Sequence, residues 1–149
     1  MDRAEKNALV LAVVLLGFFF SLIVYASKGL NIDLPTCVTD VQPFKEGRLI
    51  KHAENRYELH VLAKMWFFDF DRGNMEITIP VGSVVDIYLT SADVVHGMHI
   101  NGTTVNLMAI PGTVNYARYK FDKPGVYHVV CHEFCGVGHH AMQGKIVVR

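Results

Sequence analysis

Hydrophobic and polar positions divide the chain into three stretches with different patterns. From Ala8 to Ser27 the run ALVLAVVLLGFFFSLIVYAS carries no charge. Wound as a helix, such a run spans about 30 Å, the hydrocarbon thickness of a bilayer. Asp2, Arg3, Glu5 and Lys6 precede it and Lys28 follows it. A cleaved signal peptide has a shorter apolar core, about 7–15 residues, and a small-x-small site after it. Tyr25-Ala26-Ser27-Lys28 is a poor version of that site, so residues 1–28 read as a tail and an uncleaved transmembrane helix. Arg3 and Lys6 against Lys28 give a weak charge bias that places the tail inside and the rest of the chain outside. Residues 29–56 hold Pro35, Pro43 and Gly47, show no sustained apolar period, and read as a linker.

From Tyr57 the pattern changes to short alternating runs punctuated by turn residues. Strands are expected at Tyr57–Lys64, Met75–Pro80, Val84–Thr90, His96–Ile100, Val105–Leu107, Val114–Phe121, Val126–Cys131 and Gly144–Val148. Between them lie Asp71-Arg72-Gly73-Asn74, Pro80-Val81-Gly82, Asn101-Gly102, Pro111-Gly112 and Lys123-Pro124-Gly125. Asn101-Gly102 suits a tight hairpin, because both residues tolerate positive φ. This spacing over residues 57–149 predicts an all-β domain, an antiparallel Greek-key sandwich or barrel.

Composition changes the picture in two ways. Formal net charge is zero with His neutral, so no global basic field points to nucleic acid. The eight His and six Met residues supply imidazole and thioether, which are copper ligands. The three Cys cannot all be closed into intrachain disulfides. Cys37 has no ligand pattern around it and reads as a small buried or free thiol.

The chemistry concentrates in Cys131-His132-Glu133-Phe134-Cys135-Gly136-Val137-Gly138-His139-His140-Ala141-Met142. Reduced to ligand types, this is Cys-x3-Cys-x3-His-x2-Met on a loop after a strand. Gly136 and Gly138 would let the backbone turn tightly. Asp93-Val94-Val95-His96 places another imidazole at the start of a strand. Two thiolates, two imidazoles and a thioether form a soft set that favours copper. One Cys would make a mononuclear blue site; a second, three residues on, permits two sulfurs to bridge two metals. A Cys2His2 zinc site and a disulfide use part of this set and leave Met142 unexplained. His99, His128, His132 and His140 read as bystanders, His99 because it faces away from His96 in a strand.

These residues resemble subunit II of haem-copper cytochrome c oxidases, which carries the dinuclear copper A (CuA) centre. The likeness rests on Asp93-Val94-Val95-His96 and on Cys131-x-Glu133-x-Cys135-Gly136-x-Gly138-His139-x-x-Met142. Trp66-Phe67-Phe68-Asp69-Phe70 is similar to the family's tryptophan-rich strand. A single helix before the domain matches the smaller B-type enzymes. The resemblance implies a cupredoxin-like fold over 57–149 and two copper ions bridged by Cys131 and Cys135. It implies that His96 and Met142 complete one ion, and His139 with the Glu133 backbone carbonyl the other. Trp66 would lie where electrons arrive from cytochrome c. In larger relatives a carboxylate at the position of Glu133 helps hold magnesium at the boundary with subunit I, and B-type relatives can lack it. The partners implied are subunit I with its haem, cytochrome c and the lipid bilayer. The place implied is a bacterial or archaeal cell membrane, with the domain on the outer side. Other readings are a CuA domain of a nitric or nitrous oxide reductase and a copper-delivery protein. Asp69, Asp71 and Asp93 read either as attractors for a basic cytochrome c or as a solvated edge.

Overall fold

The charge-free run forms one helix, α1 (Arg3–Gly29). Its start is fixed by a reciprocal cap: the Asp2 carboxylate accepts the Glu5 N–H at 2.8 Å, and the Glu5 carboxylate accepts the Asp2 N–H at 2.7 Å. Lys28 in the last turn suits the negative end of the helix dipole. The Ser21 hydroxyl donates to the Gly17 carbonyl at 2.8 Å, so this polar group is satisfied within the helix. α1 buries no side chain and is long and apolar enough to cross a membrane. A helix apolar on all sides needs an apolar medium.

The computed structural model describes residues 2–30, 36–37 and 41–149. It divides into two units, Met1–Ile32 and Asp33–Arg149. Among the described residues the second unit runs β1 (Thr36–Cys37), β2 (Arg48–Ala53), β3 (Arg56–Lys64), β4 (Phe67–Asp69), β5 (Glu76–Ile79), β6 (Ser83–Ser91), β7 (His96–Ile100), β8 (Asn106–Ala109), β9 (Asn115–Phe121), β10 (Gly125–Val130) and β11 (Gln143–Val148). One sheet has the order β1-β9-β6-β3-β2, with β4 on β3; the other has the order β5-β11-β10-β7-β8.

The two sheets face each other across one core, as period-2 alternation requires. Leu59 and Val61 of β3 and Ile87 and Leu89 of β6 meet Ile100, Val129 and Ile146 of the second sheet, all essentially without solvent exposure. Phe68 and Phe70 stack with ring planes 3° apart and are fully buried. The all-β sandwich expected from the sequence is the one found. Its pairing is mixed, however: β3 runs parallel to β6 and β5 parallel to β11. Because β5 belongs to the second sheet, the chain leaves the first sheet after β4 and returns to lie alongside β3 in the same direction.

Two expectations need revising, and a third lies outside the described residues. The stretch read as a linker contains β2, which pairs antiparallel with β3 from Arg48↔His60 to Ala53↔Arg56. It is an edge strand with one neighbour and little burial, so its sequence shows no alternation. Cys37 lies in β1 opposite Asn115, and its side chain is outside the described residues. Asn101-Gly102 does not make a two-residue hairpin. Gly102 does adopt φ +79°, but the connection runs from the end of β7 at Ile100 to Asn106, and the Asn101 N–H donates to the His128 carbonyl at 2.9 Å.

On the outer face of β6, Asp86 is nearly buried beneath its partners. It accepts from Arg118 Nε and from the Tyr116 hydroxyl, each at 2.6 Å, and from Arg56 at 3.4 Å. Burial alone would raise its carboxyl. The hydrogen bonds from Arg118 and Tyr116, with the charges of Arg118 and Arg56, outweigh that and hold it below the ordinary carboxylate range. A depressed folded value means that the stabilisation is complete above the unfolded-state value and is lost as pH falls through the folded one. Denaturant unfolding should therefore show Asp86→Asn costing stability at neutral pH and much less in acid. An equal cost at both would contradict the linkage. Leu59→Ala should cost about 2–5 kcal/mol at either pH.

Candidate metal centre

The C-terminal loop is held at both ends by one strand pair. β10 and β11 pair from Gly125↔Val148 to Val130↔Gln143, and the ladder goes one step further: the Cys131 N–H donates to the Met142 carbonyl at 3.2 Å. Cys131 and Met142 are thus the two posts of the loop. A 3-10 turn over His139–Ala141 brings the chain back. β7 lies on the other side of β10, with Val130 opposite His99. Continuing that antiparallel register carries residues 132 and 133 towards Gly97 and His96.

Inside the loop the sulfurs converge. Cys131 Sγ and Cys135 Sγ are 3.8 Å apart, close but unbonded, since a disulfide needs about 2.05 Å. Cys135 Sγ lies 3.6 Å from His139 Nδ1 and 3.7 Å from Met142 Sδ. Cys131 Sγ lies 3.3 Å from the Glu133 carbonyl oxygen, while the Glu133 side chain points into solvent. Donor atoms of His96, Cys131 and Cys135 all fall within 4.8 Å of one another. Burial pushes the Cys135 thiol up to about 11, and the adjoining Cys131 sulfur adds to the rise. The pocket therefore resists holding two thiolates unless a cation enters with them. A soft metal supplies that charge, and binding it expels the thiol protons.

His96 is fully buried at the start of β7. Its Nε2 meets the Asp93 carboxylate at 2.8 Å, and its Nδ1 is buried with no hydrogen-bond partner. A buried nitrogen without a partner is costly unless something occupies that position. The carboxylate fixes the tautomer: with the proton on Nε2, Nδ1 presents a lone pair. Asp93 in turn accepts the Val94 N–H at 2.6 Å and the Met65 N–H at 2.7 Å. Burial alone would raise this carboxyl, but the hydrogen bonds from His96, Met65 and Val94 hold it below the usual range.

Trp66 enters from the other sheet, in the turn between β3 and β4. Its Nε1 donates to the Cys135 carbonyl at 3.1 Å, and about two-fifths of the residue is exposed. Two glycines accommodate it for different reasons. Gly136 takes φ +111°, which L side chains rarely adopt. Gly138 has an ordinary φ of −89°, but a Cβ there would sit 2.4 Å from the indole. Gly136 serves the turn, as the sequence suggested; Gly138 serves a close approach.

All six sequence-selected metal positions and Trp66 lie at this end of the second unit. The bystander histidines stay outside the cluster. His99 Nδ1 meets the Val105 carbonyl at 3.0 Å, His128 and His140 are exposed, and the His132 ring covers Gly97, where a Cβ would lie 2.3 Å from it. The acidic residues divide differently from either reading: Asp69 is buried and accepts the Gly73 N–H at 2.6 Å, and Asp93 supports His96. Asp-x-x-His was visible in the sequence, but neither a strand nor a helix period suggested that the two side chains would meet.

A two-sheet β domain with thiols, imidazoles and a thioether converging at one end is a domain of the cupredoxin-like class, and the donors at that end fit copper. Comparison with known proteins is specific. The profile described as cytochrome c oxidase subunit II, periplasmic domain, matches residues 60–149. Cytochrome c oxidase subunit 2 of Thermus thermophilus is 34% identical over 97% of this chain and 91% of its own. A chain from a cryo-EM structure of a heme-copper terminal oxidase dimer is 74% identical, with a TM-score of 0.82, covering 99% of this chain and all (100%) of that one. The periplasmic domain of subunit II of cytochrome oxidase of Bradyrhizobium japonicum, 24% identical with a TM-score of 0.57 over 62% of this chain and 83% of its own, shares the fold. The chain belongs to the cytochrome c oxidase subunit II family, a subunit of a terminal oxidase.

Asp93→Asn tests the support beneath His96. An amide has one acceptor oxygen for three donors, and its NH2 must face either the Met65 N–H or His96. Facing His96, it would drive the imidazole proton to Nδ1 and block the lone pair. Copper affinity in competition with a chelator should fall by ~10–100-fold. Unchanged affinity would show that His96 needs no such partner.

Proposed function

We propose that this chain is the electron-accepting subunit of a membrane-bound cytochrome c oxidase. It takes electrons from cytochrome c at a dinuclear CuA centre and passes them to haem in subunit I, where dioxygen is reduced to water. The observation that carries this reading is the pair of thiols 3.8 Å apart with an imidazole and a thioether sulfur on Cys135. Two sulfurs at that spacing can be shared between two ions, and the further donors around them (His139, Met142, the Glu133 carbonyl and the partnerless His96 Nδ1) are more than one tetrahedral ion would use.

In this reading Cys131 and Cys135 would both hold two copper ions, with His96 through Nδ1 and Met142 serving one and His139 and the Glu133 carbonyl the other. When bound, the copper pair would supply a one-electron carrier. The protein makes and breaks no bond. Its residues hold the donors on strand ends, exclude water from His96 and Met142, and keep one tautomer at His96. Trp66 is half-exposed and bonded through Nε1 to the backbone of a bridging cysteine, which supports a role in electron intake. The Glu133 carboxylate is exposed, where a magnesium ion at the boundary with subunit I would meet it. In this reading α1 anchors the chain in the cell membrane, with the β domain on the outer side.

Copper-loaded protein should be purple, contain two coppers per chain, and show the electron-spin hyperfine pattern of one electron shared equally by two copper nuclei. Cys135→Ser should abolish that pattern. A single copper or a colourless zinc protein would overturn the reading. Trp66→Phe should leave the copper spectrum intact and slow electron uptake from cytochrome c several-fold. An unchanged rate would route electrons elsewhere.

A further inference from the structure

Away from the loop, on the outer face of the first sheet, two imidazoles converge on one carboxylate. His52 Nε2 lies 2.8 Å from Glu58 Oε2, and His60 Nε2 lies 2.6 Å from Glu58 Oε1. The arrangement follows from register. Glu58 and His60 are two apart on β3 and share the face opposite the buried Leu59. β2 pairs regularly up to Lys51↔Tyr57 and resumes at Ala53↔Arg56. His52 occupies the irregular position between them and reaches Glu58 from the neighbouring strand.

We propose that His52, Glu58 and His60 form a second metal site, separate from the Cys131–Met142 loop, that takes up a borderline divalent ion such as zinc or copper(II). Two imidazoles and a carboxylate are a familiar donor set for such ions, with the remaining positions filled by water. An ion pair alone needs only one imidazolium, and a second leaves the carboxylate overmatched. Both rings present Nε2, the nitrogen at the tip of the side chain. On binding, a neutral ring moves its proton to Nδ1, and a protonated ring releases one to solvent.

The parts differ in freedom. The His60 ring is packed between Phe44 at 4.6 Å and Tyr88 at 5.2 Å, and its side chain is only 18% exposed. His52 is 49% exposed. Because the two rings sit on different carboxylate oxygens, an ion draws His52 towards the His60 side, and this surface residue can swing without disturbing the core. Arg48, paired with His60 across the strands, is neutralised by Glu46 at 2.5 Å, which removes a competing cation. With three protein donors and an open face, the site is exchangeable.

The test uses the full-length chain in detergent with its loop already loaded with copper, so that the cysteines are occupied. Zinc is then added, and bound metal is measured by calorimetry and by analysis after gel filtration. One further zinc per chain is expected, with the copper absorption unchanged. His52→Gln and His60→Ala should each lower zinc affinity by more than the ~10–100-fold typical of outer-shell partners. Cobalt at this site should show ligand-field bands without sulfur-to-cobalt charge transfer. No zinc beyond the loop, or equal uptake by His52→Gln, overturns the proposal. If His60→Ala unfolds, the exposed His52→Gln variant decides alone. A Cys135→Ser chain should still bind zinc here, so this site and the CuA reading stand or fall separately.

Discussion

Two cysteine sulfurs held 3.8 Å apart, with burial disfavouring charge on Cys135, are the constraint around which this end of the β domain is arranged. Left alone, such a pair would close into a disulfide or stay protonated. Cys131 is fixed by its hydrogen bond to Met142 at the end of the β10–β11 ladder, and Cys135 is fixed by Trp66 through its own carbonyl. The scaffold therefore holds the backbone around both sulfurs in place.

Both sheets share the task. The second contributes the loop and His96; the first contributes Trp66, while Asp93 follows β6 and meets the Met65 N–H in the turn after β3. One carboxylate thus ties the tautomer of His96 to the turn that carries the indole. Gly97 and Gly138 complete this economy of space. Each is a position where a methyl group would strike an aromatic ring, His132 in one case and Trp66 in the other.

Much of this was legible in the sequence. The charge-free run, the eight strands from Tyr57 onward and the Cys-x3-Cys-x3-His-x2-Met spacing carry strong local signals, because each is a repeated pattern or a cluster of rare residue types. β2 was not legible, and β4 was legible only through the likeness of Trp66–Phe70 to the family's tryptophan-rich strand, with no alternating pattern of its own. β2 is an edge strand of mostly exposed residues, and β4 is three residues long inside an aromatic run whose members are buried for different reasons. The parallel β3–β6 and β5–β11 pairings depend on which sheet β5 joins, a choice settled by packing and absent from any local window. Asp93 was visible as an acid near a histidine. Its partner could not be read, since the contact forms in an irregular stretch before β7.

The two histidine–carboxylate contacts show how burial decides what such a pair can do. At His96 the carboxylate takes Nε2 and leaves Nδ1 dry, without a partner, among sulfurs. Asp93 then stands behind the free nitrogen, and would not compete with a metal held there. At His52 and His60 the carboxylate occupies the donor nitrogens themselves, on a face open to water. An ion must displace those contacts, and Glu58 changes from rival to ligand as it does so. In the two proposed sites the same chemical groups would thus serve a resident metal in one place and an exchangeable one in the other, and the difference follows from which ring nitrogen the carboxylate engages.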